Sequence, residues 1–208
     1  MLCTIVGMGR GISYAVAKRF SAGGFSIGMI SRDEAILREL DAEIPNSRGI
    51  AADAGDLPAF REALRELGPA NVLVYNASAG HPGPATTLDT GNAMADFRVN
   101  VLGILIAVQE TVPAMRAAGK GTIIITGGGL ALKPVPTLAS LALGKAAQRN
   151  LALSLAAELE LAGIHVATVT VCGFVQPGTH FAADRIAEEY WRLHLQPPGQ
   201  FDREIVYS

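Results

Sequence analysis

The chain has 208 residues and a formal net charge of −2. Half of the residues are hydrophobic and only 17% are charged, which indicates one domain over residues 1–208 with a large buried core. The lysines and arginines are spread along the chain, which excludes a basic nucleic-acid-binding surface, so we expect no nucleic-acid partner.

The two cysteines, Cys3 and Cys172, both lie in apolar, strand-like runs. They are too few for a disulfide framework, and neither has a metal-ligating neighbour at a useful spacing. We therefore expect reduced core thiols in a cytoplasmic protein without a bound metal. The first residues show no basic leader with a cleavage site, and the apolar run 101–108 is too short to span a bilayer, so we expect neither a signal peptide nor a membrane segment.

Strand and helix patterns alternate along the chain. Strands are predicted over 2–6, 25–30, 48–52, 71–75, 122–125, 165–171 and 204–207. Helices are predicted over 12–22, 33–42, 57–67, 90–118, 139–161 and 182–194, with Asp33 as a helix cap. The alternation and the nearly continuous apolar strands predict an α/β fold. We expect a single doubly wound, Rossmann-like domain with a mostly parallel sheet of about seven strands and helices on both faces.

Three glycines, Gly7, Gly9 and Gly11, stand at alternate positions between the first strand and the first helix. A pyrophosphate needs bare backbone to lie against, and the N–H groups of the following helix then point at its oxygens. The spacing G-x-G-x-x-G is incomplete because Ile12 occupies the third glycine position. The spacing Gly7-x-x-x-Gly11-x-Ser13 fits a different motif better.

That spacing resembles the G-x-x-x-G-x-G turn of the short-chain dehydrogenase/reductase family, with Ser13 at the last glycine. Later residues match the family pattern in the same order over nearly the whole chain. The resemblance implies that Asp53 binds the adenine and that the turn containing Asn76 and Ala77 approaches the adenine side of the cofactor. It further implies that the backbone at Gly173 and Val175 meets the nicotinamide amide.

The residues at the end of the second predicted strand favour NADP(H) over NAD(H). Ser31 and Arg32 stand where an acidic residue would bind the ribose 2′-hydroxyl of NAD. Arg10 lies in the glycine turn, and two guanidinium groups beside the ribose suit a 2′-phosphate. Asp33 is an alternative acidic residue, but its offset fits a helix cap better. The implied cofactor site comprises Gly7, Gly9, Arg10, Gly11, Ile12, Ser31, Arg32, Asp53, Asn76, Ala77, Lys145, Gly173 and Val175.

The catalytic residues of the family are only partly present. The family places a tyrosine four residues before a lysine on one helix face, so that the ammonium lowers the pKa of the phenol. Lys145 matches, but Leu141 stands at the tyrosine position and Gly128 at the serine position. Lys145 retains the second family role, which is to bind the nicotinamide ribose. Asn100 matches the asparagine that supports the proton relay, although a helix kink without chemistry would also account for it.

Other polar residues are candidates for a replacement proton donor. His81 and His180 lie in loops near the carboxyl ends of strands, where ligands bind in such sheets. Thr126 and Ser140 stand close to the serine and tyrosine positions but out of register. Loop histidines are, however, more often surface residues without a function.

Two functions are consistent with the sequence. The first is an NADP(H)-dependent oxidoreductase that transfers hydride to or from a small carbonyl or alcohol substrate, with Asn100 and Lys145 as its catalytic residues. The alternative is a non-catalytic NADP(H)-binding sensor or oligomer partner that keeps the fold. In either case the resemblance implies a homodimer or homotetramer formed through the helices 90–118 and 139–161.

Overall fold

The structure is a computed structural model that describes residues 1–208. Its seven strands are β1 (Leu2–Val6), β2 (Ser26–Ser31), β3 (Ser47–Ala51), β4 (Val72–Tyr75), β5 (Gly121–Gly128), β6 (Ile164–Val171) and β7 (Glu204–Tyr207). All neighbouring strands pair in parallel, in the order β3-β2-β1-β4-β5-β6-β7. The chain builds outward in both directions from the β1–β4 pair, which makes that pair the topological switch point where α/β sheets bind ligands.

The helices that connect the strands are α1 (Ile12–Ala22), α2 (Glu34–Glu43), α3 (Leu57–Leu67), α4 (Thr90–Phe97), α5 (Gly103–Ala118), α6 (Ala139–Leu159) and α7 (Ala183–His194). The predicted fold class is confirmed, and most element boundaries agree within one or two residues. The largest difference is in β5, which continues to Gly128, three residues beyond the predicted end.

Side chains of the central strands alternate between two separate cores, as the period of a strand requires. Ile124 points into the core that α1, α2 and α7 cover, whereas Ile123 and Ile125 point into the core that α3, α5 and α6 cover. All three isoleucines are fully buried. The sheet is therefore apolar on both faces, and polar side chains collect at the ends of the strands.

The region 90–118 was predicted as one helix, but a π-helical turn, Arg98–Leu102, separates α4 from α5. The buried Tyr75 hydroxyl, at the end of β4, donates a 2.5 Å hydrogen bond to the carbonyl of Val99 inside this turn. The contact between strand and helix is close, because a Cβ on Gly103 would lie 2.2 Å from the Tyr75 oxygen. The π turn places Asn100 on the side of the helix that faces the carboxyl edge of the sheet.

The helical stretch Thr90–Ala118 has the length and composition of a membrane span, with a mean hydropathy of 1.3 in its most apolar window. In this fold 44% of that window is buried. Core helices of globular proteins meet the same criterion, so this property by itself does not identify a membrane segment.

The prediction that both cysteines are core residues is wrong for one of them. Cys3 is fully buried in β1, and burial raises the pKa of its thiol. Cys172 is exposed, because β6 ends at Val171 and the next residue already belongs to the following turn. The apolar run in the sequence extends to Cys172, one residue beyond the end of β6.

We expect Gly103→Ala to lower the free energy of unfolding by about 2 kcal/mol, since overpacking outweighs the gain in helix propensity of about 1 kcal/mol. The loss should be smaller when Tyr75→Phe removes the hydroxyl that the new methyl group meets. Urea unfolding of both single variants and the double variant measures this coupling. Purely additive losses would contradict the close contact.

Candidate active site

A cavity of about 320 Å³ opens at the carboxyl edge of the sheet, at the switch point between β1 and β4. Six of the residues predicted to bind a cofactor line it: Gly7, Ser31, Arg32, Asp53, Asn76 and Ala77. They follow four different strands, so only the parallel sheet brings them together. Gly9, Arg10, Gly11, Ile12, Lys145, Gly173 and Val175 lie outside this cavity, and the binding roles of all thirteen residues stay predictions.

Gly7 begins the glycine turn in a conformation that favours glycine, with φ of +80°. A Cβ at this position would lie 2.4 Å from the backbone nitrogen of Ala77, so no side chain fits. The Asn76 side chain donates a 3.0 Å hydrogen bond to the carbonyl of Gly7. These contacts fix the glycine turn against the end of β4.

Ser13, at the last glycine position of the motif, closes the turn with two hydrogen bonds. Its buried hydroxyl accepts from the N–H of Gly9 at 3.0 Å and donates to the carbonyl of Gly9 at 3.1 Å. A serine here therefore stabilises the turn. A Cβ at Gly9 or Gly11 would meet no atom within 4 Å, so the space above the turn is open.

The two arginines predicted to flank the ribose have different surroundings. Arg32 lines the cavity, and its guanidinium lies 3.8 Å from the carboxylate of Asp53. Arg10 instead forms ion pairs with Glu39 at 2.9 Å and with Glu43 at 2.8 Å, both on α2. Local sequence could not show these pairs, because the carboxylates come from a separate helix. Arg32 is thus the one arginine at the cavity.

Two aspartates near the cavity have defined local contacts. Asp33 caps α2, as predicted, by accepting hydrogen bonds from the N–H groups of Ala35 and Ile36. Asp53 accepts a 2.7 Å hydrogen bond from the N–H of Gly55 through one oxygen. Its other oxygen faces Arg32. The cap uses one oxygen of the Asp33 carboxylate, Oδ1, for both hydrogen bonds.

Lys145 lies on α6 with only 8% of its surface exposed. Its ammonium donates a 2.9 Å hydrogen bond to the backbone carbonyl of Thr126 on β5. Burial lowers the pKa of this lysine to about 8, because the charged form loses its hydration. Gly128 lies beside the lysine stem, and a Cβ there would be in ordinary contact at 3.5 Å. A Cβ at position 128 would therefore fit without a backbone shift.

Asn100 is fully buried in the π turn and binds the loop that follows β4. Its amide oxygen accepts from the N–H of Ala79 at 2.9 Å, and its amide nitrogen donates to the carbonyl of Ala79 at 2.7 Å. Gly144 leaves space for it, since a Cβ there would lie 2.3 Å from the amide nitrogen. The two hydrogen bonds give Asn100 a positioning role in addition to the relay role that the family implies.

The sequence did not indicate a buried carboxylate at the end of α4. Asp96 is 2% exposed and accepts hydrogen bonds from the N–H of His81 at 2.7 Å, from ring atom Nδ1 of His81 at 2.9 Å and from the Ser140 hydroxyl. Burial acts to raise the pKa of Asp96, but these three hydrogen bonds outweigh it and lower the pKa. A signal existed in the sequence, because Asp96 is an acidic residue four positions before Asn100 in an apolar region.

The remaining candidates lie in two different places. Leu141 packs against the loop after β4, where a Cβ on Gly80 would come within 2.7 Å of its side chain. His180 stacks on Tyr207, with 4.5 Å between ring centroids. Gly173 packs against the ring of Phe181, at the edge of the sheet beyond β6. Position 141 therefore contacts the β4 loop, and His180 belongs to an aromatic group near β7.

The model of the short chain dehydrogenase family matches residues 2–189. The oxidoreductase asL5 of Sarocladium schorii is 30% identical over 197 residues, which cover 92% of this chain and 78% of that protein. The 2,3-dihydro-2,3-dihydroxybenzoate dehydrogenase of Bacillus subtilis (strain 168) is 30% identical over 183 residues, which cover 84% of this chain and 68% of that protein.

Solved structures of short-chain oxidoreductases also match this chain. A metagenomic short-chain oxidoreductase in complex with NADP matches with a TM-score of 0.87 and 25% identity, over 99% of this chain and 96% of that one. A short-chain dehydrogenase from Rhodopseudomonas palustris matches with a TM-score of 0.87 and 26% identity, over 98% of this chain and 96% of that one. The similarity therefore extends over the entire domain and is not confined to the glycine turn.

We expect Gly7→Ala to lower stability and Gly9→Ala to weaken cofactor binding instead. Gly7→Ala should cost about 3 kcal/mol of unfolding free energy, since the new Cβ meets backbone at a positive φ. Gly9→Ala should change stability by less than about 0.5 kcal/mol but weaken NADPH binding about tenfold, because its Cβ enters the open space above the turn. Thermal unfolding and calorimetry measure both. Unchanged NADPH affinity in Gly9→Ala would exclude binding at this turn.

Proposed function

The chain belongs to the short-chain dehydrogenase/reductase family, and we propose that it is an NADP(H)-dependent oxidoreductase acting on a small carbonyl or alcohol substrate. The observation that carries the proposal is the shared cavity: residues following β1, β2, β3 and β4 were each predicted to bind the cofactor and line one space at the switch point. A structural domain without a ligand would not need this convergence.

The residues at the cavity fit the adenosine half of NADP(H). Ser31 and Arg32 offer a hydroxyl and a guanidinium at the end of β2, which suit a ribose 2′-phosphate. Asp33, the alternative acidic residue, uses Oδ1 to cap α2, which fits the capping role that the sequence predicts. The NADP in the similar metagenomic oxidoreductase supports the same choice. Arg10 contributes less than the sequence suggested, because two glutamates bind its guanidinium.

The residues beyond the cavity fit the reactive half of the cofactor. A bound nicotinamide supplies or accepts the hydride in this family. Lys145 would bind the ribose next to that ring by redirecting its ammonium from the carbonyl of Thr126. Asn100 holds the loop after β4, and the open turn at Gly9 and Gly11 leaves the backbone accessible to the pyrophosphate.

The residues at positions 128 and 141 matter differently to the two candidate functions. Leu141 has no proton to give, and Gly128 has no hydroxyl. A non-catalytic NADP(H)-binding sensor or oligomer partner needs neither group, whereas a reductase needs a proton source elsewhere in the site. The hydrogen-bonded Asp96 favours the reductase, because a buried carboxylate is costly to keep in a site without chemistry.

We expect the protein to bind NADPH at least tenfold more tightly than NADH. Arg32→Ala should remove most of that difference, because a charge-assisted hydrogen bond to phosphate contributes about 1.5–3 kcal/mol. Arg48→Ala is the matched control, since Arg48 is an exposed arginine on the neighbouring strand β3 that pairs with Glu66. Calorimetric titration of the three proteins with both cofactors measures the effect.

Two outcomes of that titration and one outcome of a turnover assay are informative. Equal affinity for NADPH and NADH would contradict the role of Arg32. Binding of neither cofactor would exclude both candidate functions. Tight NADPH binding without turnover of any carbonyl compound would exclude the reductase and leave the sensor or oligomer partner.

We also expect NADPH binding to weaken as the pH rises from about 7 to about 9. The pKa of Lys145 is lowered by burial to about 8, so the proton leaves within this range and the positive charge beside the cofactor is lost. The dissociation constant should rise several-fold for the native protein. Lys145→Met should bind weakly at about pH 7 and show no such rise. The same pH dependence in both proteins would assign it to another group.

A further inference from the structure

We propose that His81 is the proton donor of this site and that Asp96 and Ser140 are positioning residues that hold its ring. The inference rests on the proposed reductase function and names the group that replaces the missing tyrosine. Two observations support it, namely the path of the loop after β4 and the hydrogen bonds of the buried Asp96 carboxylate.

The loop brings His81 to the position that lacks its tyrosine. Ala79 lines the cavity, and the next residue, Gly80, packs directly against Leu141. His81 follows and shares the Asp96 carboxylate with Ser140, the residue adjacent to Leu141 on α6. The imidazole therefore lies beside position 141 at the carboxyl edge of the sheet.

The carboxylate determines which ring nitrogen carries the proton. Hydrogen bonds from Ser140 and His81 keep the Asp96 pKa low, so Asp96 is ionised and only accepts hydrogen bonds. Nδ1 of His81 must then be the donor in the 2.9 Å contact. Nε2 is left as the atom that gains and loses a proton, and the His81 side chain is 47% exposed. An imidazole oriented by a carboxylate in this way is suited to general acid–base catalysis.

The ring contact is not needed to hold the loop in place. Asn100 already binds both backbone groups of Ala79. On the other side of His81, the N–H of Gly83 donates a 2.8 Å hydrogen bond to the carbonyl of Thr137, just before α6. The N–H of His81 itself also binds Asp96. With the backbone fixed at three points, the additional bond to Nδ1 serves to orient the imidazole.

The proposed step balances in protons and electrons. In carbonyl reduction, a bound NADPH would supply the hydride to the carbonyl carbon and leave as NADP⁺, and the C=O double bond would become a C–O single bond. The imidazolium form of His81 gives its Nε2 proton to the oxygen, and the product is an alcohol. Neutral His81 then regains a proton from water, with Asp96 accepting from Nδ1 throughout.

The test compares two replacements of His81. In His81→Asn, the amide N–H can take the place of the Nδ1 donor to Asp96, so the loop and the NADPH affinity should be kept. Turnover of NADPH with para-nitrobenzaldehyde, cyclohexanone or diacetyl should fall about 100-fold or more, the usual contribution of a general acid. His81→Gln loses the contact with Asp96 as well, so it should fall at least as far. Unchanged turnover in His81→Asn would overturn the proposal.

A rescue experiment separates lost chemistry from lost structure. Adding Leu141→Tyr to His81→Asn places a phenol one helical turn from Lys145, at the position that His81 would otherwise serve. We expect turnover to return to at least about a tenth of the native value. No recovery, with NADPH binding intact, would mean that the loss in His81→Asn has another cause and would overturn the proposal.

The tautomer of His81 provides a measurement that does not depend on activity. Nitrogen NMR of the native protein with its imidazoles in the neutral form reports which ring nitrogen carries hydrogen. The signals of His81 are identified by their absence in His81→Asn. We expect hydrogen on Nδ1, and hydrogen on Nε2 would overturn the proposal whatever the turnover measurements give.

The outcomes also distinguish this proposal from the proposed function. Native protein that binds NADPH but turns over none of the three carbonyl probes would overturn the reductase function and this proposal together. Native protein that is active, with an equally active His81→Asn variant, would overturn only the role of His81.

Discussion

The Asn100 amide accepts a hydrogen bond from the backbone N–H of Ala79 and donates one to the carbonyl of the same residue. The Asn100 side chain is fully buried, and leaving its amide oxygen or nitrogen without a partner would cost about 1–3 kcal/mol. The contact requires the π turn that aims Asn100 at the loop and the bare backbone of Gly144 beside it. The path of the loop after β4, and with it one wall of the cavity, depends on this pair of hydrogen bonds.

Asp96 and Lys145 are both buried charges, and the protein stabilises them in different ways. Asp96 receives three hydrogen bonds, so it stays ionised although only 2% of its surface is exposed. Lys145 has one partner, the carbonyl of Thr126, and its pKa is lowered by burial. A single neutral acceptor compensates poorly for lost hydration. Lys145 is thus the less stabilised of the two and the one that a bound ligand would stabilise further.

The glycine turn and positions 128 and 141 differ in how closely their surroundings constrain them. Gly7 cannot change, because any side chain would meet the backbone of Ala77, and the Ser13 hydroxyl keeps the turn closed. Leu141 and Gly128 carry no group that transfers protons. A Cβ at position 128 would only be in ordinary contact with the stem of Lys145, whose ammonium binds the carbonyl of Thr126. Position 128 is therefore less constrained than Gly7.

The sequence by itself determined the fold class, nearly every strand and helix, the glycine turn and the cap at Asp33. Each of these depends on local periodicity or on residues close together in the chain. Only the tertiary structure decided the partners of Arg10, the π turn around Asn100, the exposure of Cys172 and the contacts of Asp96 with His81 and Ser140. Those contacts join residues 15 to 44 positions apart in the case of Asp96, and no local pattern encodes which distant side chain meets a buried carboxylate. The residue type shows what chemistry a side chain has, but the packing of the fold decides which distant group it contacts.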